Sequence, residues 1–210
     1  MVDAADPSGR RRVRRYSADA FLVESATEPA VDLLQSITLS LGSSTEAHCG
    51  ENSVLVRFNP NQVEAGELAN DLATLTVDVS DLYSEHLTLR IRYDGPDLGE
   101  VAEATGMSVA DVIELHSATT FHVAFAGFSP GFTYLTGLPE QLQLPRRANP
   151  RPSVPAGSLA IAAHYCAIYP SASPGGWHLL GTSNAELFNA HRNPPNLLRP
   201  GMTVRFEPAR

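Results

Sequence analysis

Regularly spaced apolar residues predict alternating strands and helices in the first half of the chain. Residues 53–58 form an apolar run that an Asn-Pro pair ends, which is typical of a strand. Apolar residues recur at helical spacing over 29–41 and again over 62–75. Residues 87–93 alternate strictly between apolar and polar, as in a strand with one buried face. This order predicts a small two-layer α+β domain with helices on one side of a sheet.

The pattern changes beyond residue 119. Two short helices are predicted before it, over 97–104 and 109–117, and Ser108 with Asp111 gives the second helix an N-cap signature. Most of the 16 prolines follow, and they separate short apolar runs at 121–125, 158–163, 166–169, 177–180 and 203–206. Short strands between proline and glycine turns predict a β-barrel or sandwich, with at most one helix, around 185–190. We therefore expect domains at 16–93 and 94–210, after a flexible basic tail at 1–15.

Composition supports a folded protein and narrows its setting. The chain has 210 residues, of which 43% are hydrophobic and 18% charged. No apolar run is long enough for a membrane span and no signal-peptide pattern is present, so we expect a cytoplasmic protein without a membrane partner. Cys49 and Cys166 lie far apart, which disfavours a disulfide framework. None of the seven histidines has a metal-ligand spacing, so no metal site is predicted.

All 15 basic residues are arginine, and the absence of lysine excludes several chemistries. The chain has no phosphate-binding loop lysine, no Schiff-base lysine and no attachment site for biotin or lipoyl groups. The net charge of −8 is uneven, with an excess of positive charge in 1–15 and 121–210 and of negative charge between them. We interpret the arginine run at 10–15 as a solvated tail rather than a nucleic-acid arm. The last region suits an anion or an acidic surface, or it is simply solvated.

Three motifs carry candidate chemistry. The segment 127–131 matches the nucleophile elbow G-x-S-x-G, but Pro130 has no N–H to donate to an oxyanion, so we reject Ser129 as a nucleophile. Arg146, Arg147 and Arg151 place three guanidinium groups within six residues, which favours carboxylate or phosphate binding, although such a loop also serves solubility. Gly175 and Gly176 beside the only Trp form either a tight turn or a ligand wall of backbone N–H groups.

His116 is the one histidine that the pattern singles out. It ends the second predicted helix, where a helix C-terminus favours the protonated imidazole.

Several motifs occur in an order that resembles a known family. They are Gly95-Pro96-Asp97-Leu98, His116-Ser117, residues 127–135, Pro145-Arg146-Arg147 with Pro150-Arg151, residues 154–158, Ile168-Tyr169-Pro170, residues 173–177 and Leu187-Phe188. Together they resemble the B subunit of 5-oxoprolinase, also labelled allophanate hydrolase subunit 1, a family that includes Kip-type histidine-kinase inhibitors. The resemblance is specific over about 93–208 and looser over 16–92. It implies a ferredoxin-like N-terminal domain and a cyclophilin-like β-barrel C-terminal domain.

The resemblance also implies an activity. It implies a subunit that acts with a second cyclophilin-like subunit in the ATP-dependent opening of 5-oxoproline to glutamate, with ATP and Mg bound mainly by that partner. The older label implies allophanate hydrolysis instead. On this basis Arg146, Arg147 and Arg151 would bind an anionic substrate, with Gly175 and Gly176 as backbone donors. The pocket wall would comprise Phe132, Tyr134, Trp177 and His116.

Two departures from the family pattern leave alternatives open. The chain has Tyr165-Cys166-Ala167 where relatives typically have Gln-Thr-Gly, and residues 181–184 lack an arginine that relatives carry. Losing that arginine removes a charge-assisted contact to an anion. A non-catalytic regulator that binds a histidine kinase is therefore an alternative, and a cyclophilin-like isomerase is a weaker one.

Overall fold

The computed structural model describes residues 11–25, 28–77 and 85–209. The chain divides into two compact units, residues 1–82 and 83–210, and each is described by itself. Most of the predicted basic tail, residues 1–10, lies outside the described residues. Among the described residues, no helix is long and apolar enough to cross a membrane.

The described residues of the N-terminal unit form a four-stranded antiparallel sheet with two α-helices. Its elements are β1 (Val13–Ser17), β2 (Ala20–Glu24), α1 (Ala30–Leu41), β3 (Thr45–Cys49), β4 (Ser53–Phe58) and α2 (Ala65–Thr74). The strand order is β1-β2-β4-β3. Val54, Val56 and Phe58 are buried, as the alternation along β4 requires, and Leu68 and Leu72 form the buried stripe of α2. The predicted strand and both predicted helices are confirmed.

The ferredoxin-like prediction for this unit is not confirmed. That arrangement needs a strand after α2 to pair beside β2, but β1 occupies this edge, with Arg14 opposite Leu22. Arg14 and Arg15 therefore lie in a strand and not in a tail. The strand predicted at 87–93 belongs to the sheet of the other unit, and the division between the units falls before it rather than at 93.

The described residues of the C-terminal unit form nine strands and two helices. They are β5 (His86–Ile91), α3 (Leu98–Thr105), α4 (Val109–Ala118), β6 (Phe121–Ala126), β7 (Thr133–Thr136), β8 (Arg151–Val154), β9 (Ser158–Ala162), β10 (Tyr165–Ile168), β11 (Ser173–Gly175), β12 (His178–Thr182) and β13 (Thr203–Pro208). Seven strands form one sheet in the order β12-β9-β10-β7-β6-β13-β5, and β8 pairs with β11 separately. Ser108 caps α4 in a reciprocal capping box with Asp111, as predicted.

The large sheet nearly closes into a barrel. Its two edge strands meet where the backbone of Arg92, just after β5, exchanges hydrogen bonds with Thr182 of β12 at 2.9 and 2.8 Å. Alternation along the strands then gives two buried faces: Leu159 and Ile161 pack into the main core with α3 and α4, whereas Ala160 and Ala162 lie on the opposite face. The unit is thus mixed α/β with a β-barrel sheet, which confirms the barrel prediction.

Residues 185–190, all of which the structure describes, form no helix, which the prediction of at most one helix allows. Phe188 instead makes an isolated bridge to Asn196. The guanidinium of Arg192 donates hydrogen bonds to the carbonyl oxygens of Glu186 at 3.3 Å and Leu187 at 3.4 Å. These carbonyl groups are therefore satisfied without helical hydrogen bonds.

Candidate functional site

An aromatic cluster lies on the face of the barrel sheet opposite the main core. It comprises Phe132, Tyr134, Tyr169 and Trp177, with Phe132 at its centre. The ring centroid of Phe132 is 5.2 Å from that of Tyr134, 5.3 Å from that of Tyr169 and 5.8 Å from that of Trp177. Strands β7, β10 and β12, with the residues directly flanking them, carry these rings on one face because side chains of a strand alternate. Three of the predicted wall residues, Phe132, Tyr134 and Trp177, are thus brought together.

Arg146 extends the aromatic cluster to solvent. Its guanidinium carbon lies 6.0 Å from the ring centroid of Trp177, which is within cation–π range. Within the described part of the chain, no carboxylate forms an ion pair with Arg146. Burial raises the pKa of the Tyr169 hydroxyl, and the positive charges of Arg146 and Arg151 oppose that rise. The cluster therefore presents one unpaired cation beside a buried phenol.

Arg147 and Arg151 are engaged by carboxylates of this chain. Asp97, which is 2% exposed, accepts hydrogen bonds from Arg147 at 2.9 Å and from Arg151 at 2.5 Å. Glu100 accepts a second hydrogen bond from Arg147 at 2.5 Å. The charges expected to attract an anion are thus largely neutralised at these two positions, and Arg146 is the candidate that keeps its charge.

Asp97 is the site residue that sequence reasoning missed. Its second oxygen accepts the N–H of Leu179 in β12 at 2.7 Å. Gly95 permits this approach, because a Cβ there would lie 2.2 Å from the carbonyl oxygen of Leu179. Burial alone would raise the pKa of Asp97, but the hydrogen bonds from Arg151 and Leu179, with the charges of Arg151 and Arg147, hold it below its usual value. The sequence pointed to Asp97 only through the motif Gly95-Pro96-Asp97, which contributed to the family resemblance but did not indicate what the carboxylate does.

The paired glycines serve the packing of this region. A Cβ on Gly175 would lie 2.2 Å from the Tyr169 hydroxyl oxygen, so glycine is required for the phenol to pass. The carbonyl oxygen of Gly176 accepts the backbone N–H of Arg147 at 2.8 Å, which anchors residues 146–151, the arginine segment. Their predicted role as backbone donors to a ligand stays a prediction.

His116 does not join the aromatic cluster. It is fully buried in the main core, with its Nδ1 2.9 Å from the Tyr93 hydroxyl and its Nε2 3.5 Å from the Cys166 sulfur. Burial lowers the pKa of His116 to about 3. The expected protonated imidazole is therefore wrong, because desolvation outweighs the helix C-terminus, whose effect is about 0.3–1 kcal/mol.

The loop 127–131 has a strained conformation at its tip. Phe128 has φ +68°, unusual for a residue with a Cβ, and its side chain is 63% exposed. Gly131 has φ +82°, and a Cβ there would lie 2.7 Å from the Cβ of Phe188, so glycine is required. The Ser129 hydroxyl is buried without a hydrogen-bond partner. It therefore lacks a neighbouring base, in agreement with its rejection as a nucleophile.

Comparison with known proteins identifies the family. The sequence profile of the carboxyltransferase domain family, subdomains C and D, matches residues 11–198, and the chain belongs to this family. The chain is 54% identical over 114 residues to the B subunit of 5-oxoprolinase from Escherichia coli O157:H7, a match that covers 54% of this chain and 52% of that protein. It is 45% identical over 112 residues to the B subunit of 5-oxoprolinase from Bacillus subtilis strain 168, covering 53% and 47%. The chain thus spans about half the length of these relatives, and the resemblance to the 5-oxoprolinase B subunit is confirmed.

Solved structures share the fold, and two of them illustrate it. The crystal structure of TTHA0988 matches 95% of this chain and 40% of its own, with 33% identity and a TM-score of 0.78. The crystal structure of Kluyveromyces lactis urea carboxylase matches the whole chain and 23% of its own, with 18% identity and a TM-score of 0.66, which supports the fold alone.

Proposed function

We propose that the chain is a subunit of an ATP-dependent amide or lactam hydrolase of 5-oxoprolinase type, with a cyclophilin-like barrel that acts beside a second cyclophilin-like subunit. The observation that carries the proposal is the 54% identity to the B subunit of 5-oxoprolinase. In this reaction water adds across the lactam C–N bond of 5-oxoproline. Hydroxide ends on the carbonyl carbon and a proton ends on the nitrogen, which gives glutamate, while ATP hydrolysis supplies the free energy.

The aromatic cluster and Arg146 support a site for a small carboxylate. The guanidinium of Arg146 binds the substrate carboxylate at the surface of the cluster, where it lies over the edge of the buried Trp177 ring. Asp97 holds Arg147 and Arg151 and so prevents them from competing for the same carboxylate. One available cation matches a substrate with one carboxylate. A hydrogen bond of this charge-assisted kind contributes about 1.5–3 kcal/mol.

We assign ATP and its Mg mainly to the partner subunit. The chain has no lysine for the phosphates. Over residues 11–25, 28–77 and 85–209, no three His, Cys, Asp or Glu side chains converge into a cluster that would hold a metal ion without a nucleotide. Arg146 then contributes charge at the edge of a site that the partner completes.

Co-expression with the second subunit tests this function. The measurement is 5-oxoproline-dependent ATP hydrolysis by the complex, in wild type and in Arg146→Gln. We expect Arg146→Gln to raise the KM for 5-oxoproline about ten- to hundredfold. Arg92→Gln is the matched control, because the Arg92 side chain is 72% exposed and bonds to Asp94 and Thr182, away from the aromatic cluster. Absence of turnover with the partner present would refute the proposed function. Turnover with an unchanged KM in Arg146→Gln would refute only the role assigned to Arg146.

The alternatives gain nothing from the comparisons. Neither relative named above is described as a kinase regulator, and urea carboxylase at 18% identity is informative about fold alone. The cytoplasmic location stays a prediction.

A further inference from the structure

A cavity with several polar side chains in its wall lies in the C-terminal unit, on a stretch of the barrel sheet that the aromatic cluster does not use. Its volume is about 360 Å³, which is within the range of small-ligand sites. The lining residues are His86, Leu87, Thr88, Thr120, Thr203 and Arg205. None of them belongs to the aromatic cluster or the arginine segment.

Strand register brings the polar residues of this cavity together. β5 and β13 pair in parallel, with Thr203 opposite His86 and Arg205 opposite Thr88. Because every second residue of a strand shares a face, all four side chains lie on one side of the sheet. The Thr203 hydroxyl contacts Nδ1 of His86, and Nε of Arg205 donates to the Thr120 hydroxyl at 3.0 Å. The polar groups are thus held in place by one another.

The charge of the cavity is positive. No carboxylate is among its lining residues. The neighbouring Glu85 carboxylate pairs with Arg199. In the described part of the chain, Arg205 has no ion-pair partner and its side chain hydrogen-bonds to Thr120 through Nε, so its terminal nitrogens keep their N–H groups available. A guanidinium with two terminal nitrogens matches the geometry of a carboxylate or a phosphate.

We propose that this cavity binds an oxyanion, the carboxylate or phosphate group of a small molecule. Arg205 supplies the charge through its terminal nitrogens. The hydroxyl groups of Thr88 and Thr120 and the imidazole of His86 supply further polar contacts. The site shares no residue with the proposed 5-oxoproline site, so it stands or falls independently of the proposed function.

Titration of the full chain with inorganic phosphate and, separately, with acetate tests the proposal. Ligand-induced rise in melting temperature reports binding, because a ligand that prefers the folded state stabilises it by mass action. We expect saturable binding of at least one anion, with affinity about tenfold weaker in Arg205→Gln and unchanged in Arg92→Gln. Which anion binds distinguishes a phosphate site from a carboxylate site.

A second variant guards against a folding defect. Thr88→Val keeps the volume of an exposed strand residue and removes one hydroxyl, so it should weaken binding while leaving the melting temperature without ligand unchanged. Lack of saturable binding by either anion overturns the proposal. Binding that is equally strong in wild type, Arg205→Gln and Thr88→Val also overturns it, since it would show an adventitious ion only.

Discussion

Replacing Asp97 by asparagine probes the ion pairs that organise the candidate site. The buried carboxylate accepts hydrogen bonds from Leu179, Arg147 and Arg151, at 2.7, 2.9 and 2.5 Å. Asparagine keeps one acceptor oxygen, so its NH₂ group must face either a guanidinium or the Leu179 N–H. Breaking a buried ion pair costs about 3–5 kcal/mol. Because the two arginine side chains are 26% and 25% exposed, solvent offsets part of this, and we expect a loss of about 3 kcal/mol in unfolding free energy.

The pH dependence of stability gives an independent readout of the same residue. The pKa of Asp97 is lower in the folded chain than its ordinary value of about 3.9. The stabilisation is therefore complete well above pH 4 and is lost as the pH falls through the folded pKa. We expect the difference between wild type and Asp97→Asn to be largest at neutral pH and to shrink in acid.

Urea unfolding followed by Trp fluorescence measures both effects, since Trp177 is the only Trp and lies beside the arginine segment. Asp94→Asn is the matched control, because its carboxylate is partly exposed and pairs with the exposed Arg92, and such pairs contribute less than about 1 kcal/mol. Equal losses in the two variants, or an Asp97→Asn variant within about 1 kcal/mol of wild type, would refute the reasoning.

Three further changes have expected outcomes. Gly95→Ala should lower the melting temperature sharply, because its Cβ would lie 2.2 Å from a carbonyl oxygen, whereas Gly99→Ala in α3 meets open space and should stabilise by about 0.5–1 kcal/mol. Neutral His116 should make wild type lose up to about 1.4 kcal/mol per pH unit below pH 6.5, and urea titrations of His116→Phe should lack this slope. Phe128→Gly relieves about 1–2 kcal/mol of left-handed strain, but it loses the edge contact of the Phe128 ring with Phe132 and costs about 0.5–1 kcal/mol of backbone entropy, so the melting temperature should stay close to that of wild type; a large fall contradicts this.

Local patterns predicted the elements well where their own residues decide the structure. The stripe of α2 and the alternation of β4 are properties of short segments, and Ser108 with Asp111 forms its capping box within four residues. Residues 185–190, where at most one helix was predicted, form none, and the guanidinium of Arg192 instead hydrogen-bonds to the carbonyl groups of Glu186 and Leu187. The strand at His86–Ile91 was predicted, but its pairing partner is the last described strand, Thr203–Pro208. No local pattern reveals a pairing between residues so far apart in the sequence.

The sequence predicted which residues lie at the candidate site, but not which of them form ion pairs with one another. The three arginines and three of the four wall residues were visible as a cation-rich loop and aromatic motifs. The carboxylate that pairs with Arg147 and Arg151 was not predictable. Asp97 precedes these arginines by 50 and 54 residues, and nothing in the sequence distinguishes it from the other acidic residues. His116 was misassigned because helix position indicates a weak dipole effect, whereas burial against Phe206 and Cys166 dominates its pKa and is set by tertiary packing.

The pairing of β5 with β13 has a consequence for biosynthesis. The barrel's first strand has one edge that stays without its neighbour until residues 203–208 have left the ribosome. During translation that edge is exposed to other nascent chains, and a polypeptide terminated before residue 203 would keep it exposed permanently. Truncated chains that end before residue 203, such as those released from ribosomes stalled late on the mRNA, should therefore aggregate.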